Sequence, residues 1–218
     1  MSKRGGTNRI GRQSPLDMGL KPDDIVEKKG WEIVQTYQGE KAGNSLFITD
    51  LSHVPQWTLQ SRQFSSVLPK DMDIPVRPGQ VSLEEGILVC RLSHDECRMM
   101  DFGAKDMSFE DPHYTDMTDA FATFALVGTQ CLEVLSRLSP VDLDGPNRSP
   151  LSGAQAPVED VTCLLLSIRR DDVEPGLIVS APRGYGGFLV EVFQDAGGEF
   201  GIAPAGWKRF HGWLQGRA

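Results

Sequence analysis

Asp50, Ser52 and His53 crowd into the stretch "SLFITDLSHV", directly after an apolar run. These three residue types build acyl-transfer triads. Here they are too close in sequence to converge. On one strand, alternation would put Asp50 and Ser52 on one face and His53 on the other. The remaining histidines, His94, His113 and His211, are scattered without a second ligand at metal spacing. The four cysteines are Cys90, Cys97, Cys131 and Cys163, and no C-x-x-C pair occurs among them. Cys90, Cys131 and Cys163 sit among Leu, Val and Ile, as buried thiols do. Cys97 lies beside Asp95, Glu96 and Arg98 and reads as more exposed, but neighbouring acids raise a thiol pKa rather than activate it. "RGYGG", Arg183–Gly187, precedes a helix but lacks the Lys-Ser/Thr end of a phosphate loop, so a capped turn is expected. The acidic run "EDPHYTDMTD" reads as a solvated loop.

The chain around these residues has 218 residues, 39% hydrophobic and 24% charged, with a net charge of −8. Its length allows one large domain or two small lobes. The acidic balance argues against a nucleic-acid partner, which needs clustered Lys and Arg. Lys3, Arg4, Arg9 and Arg12 read as a solvated tail. No apolar stretch approaches the roughly 18 residues that span a bilayer, and the N-terminus has no secretory h-region. A cytoplasmic location without membrane contact is expected.

Residues 1–30 read as a tail with a short helix around Asp23 to Lys29, and the folded pattern begins at "GWEIVQTYQGE". Strands are expected at Ser45–Thr49, Gln56–Gln60, Gly86–Leu92, Cys97–Phe102, Ala122–Val127, Val161–Ile168 and Leu177–Ala181. "SHDE" suits a hairpin between the third and fourth of these. "TQCLEVLSRL" puts Cys131, Val134, Leu135 and Leu138 on one helical face, with Thr129 as N-cap. "GGFLVEVFQDAG" forms a second helix that Gly197 can stop. Asp144 to Pro157 is a loop by composition. "TLQSRQFSSVL" and "ALVGTQCLEVL" align at a constant offset, matching Leu59 with Leu126 and Gln63 with Gln130. Each half reads as strand, turn and helix, then a strand pair. This order supports two related α+β lobes, roughly residues 45–115 and 116–214 of a single domain over 31–218.

In order, "GWEIVQTYQGE", "LFITDLSHV", "MTDAFATFALVGTQCLEVLSRLSPVDL" and "GGEFGIAPAGWKRF" resemble the glycine-cleavage T-protein superfamily of folate-binding aminomethyltransferase domains. Within it, the chain looks most like the gamma subunit of heterotetrameric sarcosine oxidase. The resemblance implies an α+β, two-lobed folate-binding domain, and the short chain is expected to carry no C-terminal barrel. It also implies a catalytic Asp-Asp pair shortly after paired glycines. In "EEGILVCRLSHDE", Gly86 fits a motif glycine, but Leu88, Val89 and Cys90 occupy the acidic positions. No catalytic residue is therefore assigned. Val54 falls where the resemblance implies an apolar folate-wall residue. Asp101 falls where Asn is common, and as a carboxylate it accepts but does not donate. Glu174, in "EPGLIV", is placed to hydrogen-bond a pterin edge. The competing account of Glu174 is a loop acid solvated beside Arg169 and Arg170.

Two functions follow from the resemblance. One is a non-catalytic accessory subunit of a sarcosine-oxidase-like, folate-linked amine-oxidising complex, partnered by larger flavin- and folate-binding subunits. Trp207, Phe210, Trp213 and Leu214 supply apolar material for such an interface, or fold back on the core. The other is a small aminomethyl- or methyl-transferase, or a folate carrier, with tetrahydrofolate in an altered pocket and Glu174 or Asp101 replacing the lost acid.

Overall fold

The structure is a computed structural model that describes residues 11–40, 45–64, 67, 74–103, 107–145, 148–171 and 173–216. The chain is a mixed α/β protein made mostly of strands. It opens with a hairpin of β1 (Pro22–Lys28) and β2 (Trp31–Tyr37). The expected helix at Asp23–Lys29 is thus a strand. Its charged sequence has no apolar helical face, and pairing with β2 decides its conformation. The connecting turn is Lys29–Gly30, both with positive φ (52° and 81°), a two-residue geometry whose twist suits a hairpin.

A six-stranded sheet has the order β10-β11-β12-β9-β3-β13. Its members are β3 (Phe47–Asp50), β9 (Phe121–Val127), β10 (Leu151–Val158), β11 (Val161–Arg170), β12 (Val173–Pro182) and β13 (Ala203–Pro204). Neighbours are antiparallel except β13 beside β3. A five-stranded sheet has the order β5-β6-β7-β4-β8, built from β4 (Gln56–Gln60), β5 (Val81–Glu84), β6 (Ile87–Arg91), β7 (Glu96–Asp101) and β8 (Tyr114–Asp116). Strand β10 corrects the loop expected over Asp144–Pro157. Its Gly, Pro and Gln give no strand signal, but it pairs with β11 along its length, from Leu151 opposite Ile168 to Val158 opposite Val161.

Two helices, α1 (Cys131–Leu138) and α2 (Gly186–Gly197), cover one face of the six-stranded sheet. Cys131, Val134 and Leu135 are buried on α1 and Leu189, Val190 and Phe193 on α2, where Phe193 meets Phe124 edge-on at 5.3 Å. Gln130, not Thr129, occupies the N-cap of α1 and makes no side-chain cap bond. Gly197 is the last residue of α2, and the chain runs on through a short 3₁₀ turn to the left-handed Gly201. A second core fills the space between the sheets, with Leu88, Cys90 and Met100 against Ala125, Leu164, Leu166 and Ile178. The last helix, α3 (Trp207–Leu214), adds Phe210, Trp213 and Leu214 to this core. Cys97, expected to be more exposed, is fully buried on the other face of β7, in a third cluster with Trp57, Leu59 and Met99.

Strand order repeats between the sheets: β5-β6-β7-β4 in one, β10-β11-β12-β9 in the other. The offset that aligns Leu59 with Leu126 also aligns Gln56 with Thr123. These two residues touch across the sheets, with Gln56 Nε2 donating to Thr123 Oγ1 at 2.8 Å. Thr123 Oγ1 donates to Ser180 Oγ at 3.1 Å, and Ser180 Oγ donates to Gln56 Oε1 at 3.5 Å, closing a buried polar ring. The helix expected within Thr58–Leu68 is not formed by the described part of that stretch: Thr58–Gln60 belong to β4, and residues 61–64 and 67 are not α-helical. Ser65, Ser66 and Leu68 lie outside the described residues, as do Lys3, Arg4 and Arg9. Among the described residues, no helix is long and apolar enough to cross a membrane.

Candidate functional site: a tryptophan-walled cleft

Strand β3 ends at Asp50, and the chain turns sharply before β4. Asp50 Oδ1 accepts from Ser52 N at 2.8 Å, and Val54 N donates to Leu51 O at 2.9 Å. Ser52 Oγ is held by the backbone of β9, accepting from Thr123 N at 3.2 Å. The hydroxyl is thereby committed to the fold and fully buried. This turn presents His53, Val54 and Pro55 to a cleft of about 180 Å³.

The β1–β2 hairpin forms the opposite wall with Lys28, Lys29, Trp31 and Ile33, and Arg12 stands beside it. Trp57 comes from β4, Trp207 from α3, Asp101 and Phe102 from the end of β7, and Asp116 from β8. The hairpin is fixed to α3 from two sides. Lys208 Nζ pairs with Asp24 at 2.7 Å, while Glu40 accepts from both Tyr37 N and Gly206 N at 3.0 Å. Arg12 N donates to Gly30 O at 2.7 Å, and its guanidinium pairs with Asp119 at 2.9 Å.

The cleft therefore has three indole walls, a basic side and an acidic side. Asp101 is 2% exposed, its backbone held by Pro55 O at 3.0 Å. Asp116 is exposed, and its carboxylate caps Thr118 N at 2.9 Å. His53 packs edge-on against Trp207 with ring centroids 4.8 Å apart. Burial, reinforced by the charge of Lys28, pushes the His53 pKa down to about 4. At neutral pH it is a neutral imidazole, unable to serve as a cationic acid. Such a site suits a flat ring that stacks on indole, offers N–H groups to a buried carboxylate and carries an anionic group toward Lys and Arg. Its volume is below the usual 300–1,000 Å³ of drug-sized pockets, so it encloses a ring system rather than a whole large ligand.

Of the residues singled out from the sequence, Val54 and Asp101 come together here, while Glu174 does not line the cleft. Glu174 is exposed near the start of β12, and its carbonyl accepts from Trp213 Nε1 at 2.7 Å. Arg169 engages Asp144 at 2.8 Å, and Arg170 donates to the carbonyls of Trp213 and Leu214 at the end of α3. Leu88, Val89 and Cys90 are all core residues of β6, each at most 1% exposed. Sequence reasoning missed Arg12, Lys28, Trp31, Trp57, Asp116 and Trp207. The one local signal was Lys29–Gly30 before Trp31, a hairpin turn that aims the following strand. Among the described residues, no group of three or more His, Cys, Asp or Glu side chains is placed to hold a metal ion.

This architecture, two sheets of repeated strand order with helices on one outer face, is a fold shared with two solved structures. Among solved structures, the chain is similar to glycine cleavage system aminomethyltransferase T from Bartonella henselae, with a TM-score of 0.62 and 18% identity. That match covers 91% of this chain and 60% of that one, so the chain spans less than two thirds of the aminomethyltransferase. It is also similar to a chain of heterotetrameric sarcosine oxidase from Corynebacterium sp. U-96, with a TM-score of 0.59 and 16% identity over 75% of this chain and 90% of that one. No protein-family model and no curated protein sequence matches the chain.

Proposed function

We propose that this chain is a non-catalytic accessory subunit of a folate-linked, amine-oxidising assembly of the sarcosine oxidase kind. One observation carries this: the β6 positions where the resemblance implies paired carboxylates hold Leu88, Val89 and Cys90, all packed into the core. His53, its pKa lowered to about 4, is only a weak base at neutral pH. The fit to 90% of one chain of a heterotetrameric enzyme supports a subunit role. Its partners are larger flavin- and folate-binding subunits. We assign the fold to two related lobes, roughly 45–115 and 116–214 within a domain over 31–218, on the repeated strand order. A cytoplasmic setting agrees with four free, buried cysteines. Co-expression with candidate oxidase subunits should yield a stable complex, and the isolated chain should catalyse no tetrahydrofolate-dependent transfer. Turnover by the isolated chain would sink the proposal.

A second function, tetrahydrofolate binding, is favoured by the cleft itself. Asp101 would accept from the pterin edge, Val54 and the three tryptophans would pack its faces, and Arg12, Lys28 and Lys29 would meet the glutamate carboxylates. Calorimetry with tetrahydrofolate should then show binding that Asp101→Ala weakens at least tenfold. A loss on Glu174→Ala instead would move the ligand to the edge of β12. No heat for the folded wild-type chain discards binding and leaves the accessory role.

A further inference from the structure

Behind the cleft lies a second, much smaller chamber of about 10 Å³, lined by Ser14, Trp31, Tyr37, Thr49, Asp50 and His53 among others. Trp31 and His53 line both spaces, so the chamber backs directly onto the cleft wall. Two of its polar groups, Trp31 Nε1 and Thr49 Oγ1, are buried without a hydrogen-bond partner among the described residues. Both side chains are almost fully buried, at 2% and 1% exposure. An unpaired buried N–H or hydroxyl is costly, and native folds satisfy nearly all of them. Two of them, on residues that line the same chamber, mark a place for a ligand.

The geometry points to a built site for one water molecule, held by Trp31 Nε1–H and Thr49 Oγ1 and bridging the Asp50 carboxyl to the imidazole of His53. The chamber matches the volume of about one probe sphere that a single water needs, and it offers the required two to four polar partners. The donor set selects water over a cation. An indole N–H pointing at the site repels a positive ion but donates readily to a water oxygen. That water keeps both protons for acceptors, and the Asp50 carboxylate, Thr49 Oγ1 and the neutral imidazole are the acceptors at hand. Burial raises the pKa of Asp50, which is only partly exposed at the end of β3. The water would set the orientation of His53 at the cleft, whether or not the cleft takes a folate.

Thr49→Val tests this by the sign of its effect. It keeps the β-branched shape on β3 and exchanges the hydroxyl for a methyl group that cannot hydrogen-bond. If water bridges the site, the variant strips it of a partner and lowers the urea midpoint. A dry chamber gives the reverse, because removing an unsatisfied buried hydroxyl stabilises. In parallel, the Trp31 indole proton should show an NMR cross-peak to a long-lived water, weakened in Thr49→Val. A raised midpoint, or a wild-type indole proton with no water cross-peak, overturns the assignment.

Discussion

His53 should resist protonation far below the range of an ordinary histidine, and its removal should flatten part of the acid sensitivity of the fold. Its pKa falls from 6.5 to about 4 because the ring is packed behind Trp207 and the β1–β2 hairpin, with Lys28 adding repulsion. The unfolded chain then binds this proton more readily than the folded one between those two values. Stability from this group is therefore complete above pH 6.5 and is lost as pH falls toward 4. At 1.36 kcal/mol per pKa unit, the loss amounts to at most about 3 kcal/mol, less whatever solvent screens at a half-buried ring. Asp50, close by, works in the opposite sense. Its raised pKa means that the fold holds that proton more tightly, so its contribution grows on acidification through its folded pKa. The comparison must therefore be made at one site at a time. Urea unfolding from pH 7.5 to 4.5 should show a shallower stability decline in His53→Gln than in wild type, and NMR should place the wild-type His53 midpoint near 4. Titration of His53 at its ordinary value would refute the argument that the ring is desolvated by the cleft wall.

Three further outcomes are expected. Gly206→Ala places a Cβ 2.1 Å from Gln35 O, where α3 meets β2, and should cost more than about 2 kcal/mol by thermal or urea unfolding; an unchanged midpoint would unseat the described contact. Trp213→Phe deletes the 2.7 Å bond to the Glu174 carbonyl and should lower stability by about 1 kcal/mol, with tetrahydrofolate affinity in calorimetry unaltered. Leu88→Asp should not create transferase activity. It should instead cost at least 3 kcal/mol, roughly the penalty for an unpaired charge between two packed sheets, and a folded, active variant would show that β6 is misplaced.

Legibility in the sequence followed the range of the forces involved. Strand β4 was readable to the residue, Gln56–Gln60, since alternation and its flanking turn are local. Helix α1 was readable for the same reason, apart from a cap that Gln130 fills without a side-chain bond. Strands β1 and β10 were not, because neither has a pattern of its own; each is a strand through a partner, β2 and β11, that supplies the apolar face. At the cleft, the resemblance led to Val54, in the turn between β3 and β4, and to Asp101, at the end of β7. Arg12, Trp31 and Trp207 join them only through tertiary closure, and no spacing in the sequence encodes that meeting.

The hairpin and α3, locked by Lys208–Asp24 and by the shared grip of Glu40, make the cleft a seam between early and late parts of the chain. Such a seam forms slowly relative to local hairpins, since the intervening loop entropy is lost before its contacts are gained. During synthesis, Arg12 and Trp31 leave the ribosome long before Trp207, so the five-stranded sheet can fold while the cleft is still a half-open face. Until α3 docks, that face exposes Trp31, Trp57 and the second core. Such a nascent chain would rely on chaperone cover, or on the early arrival of a partner, to reach its final form.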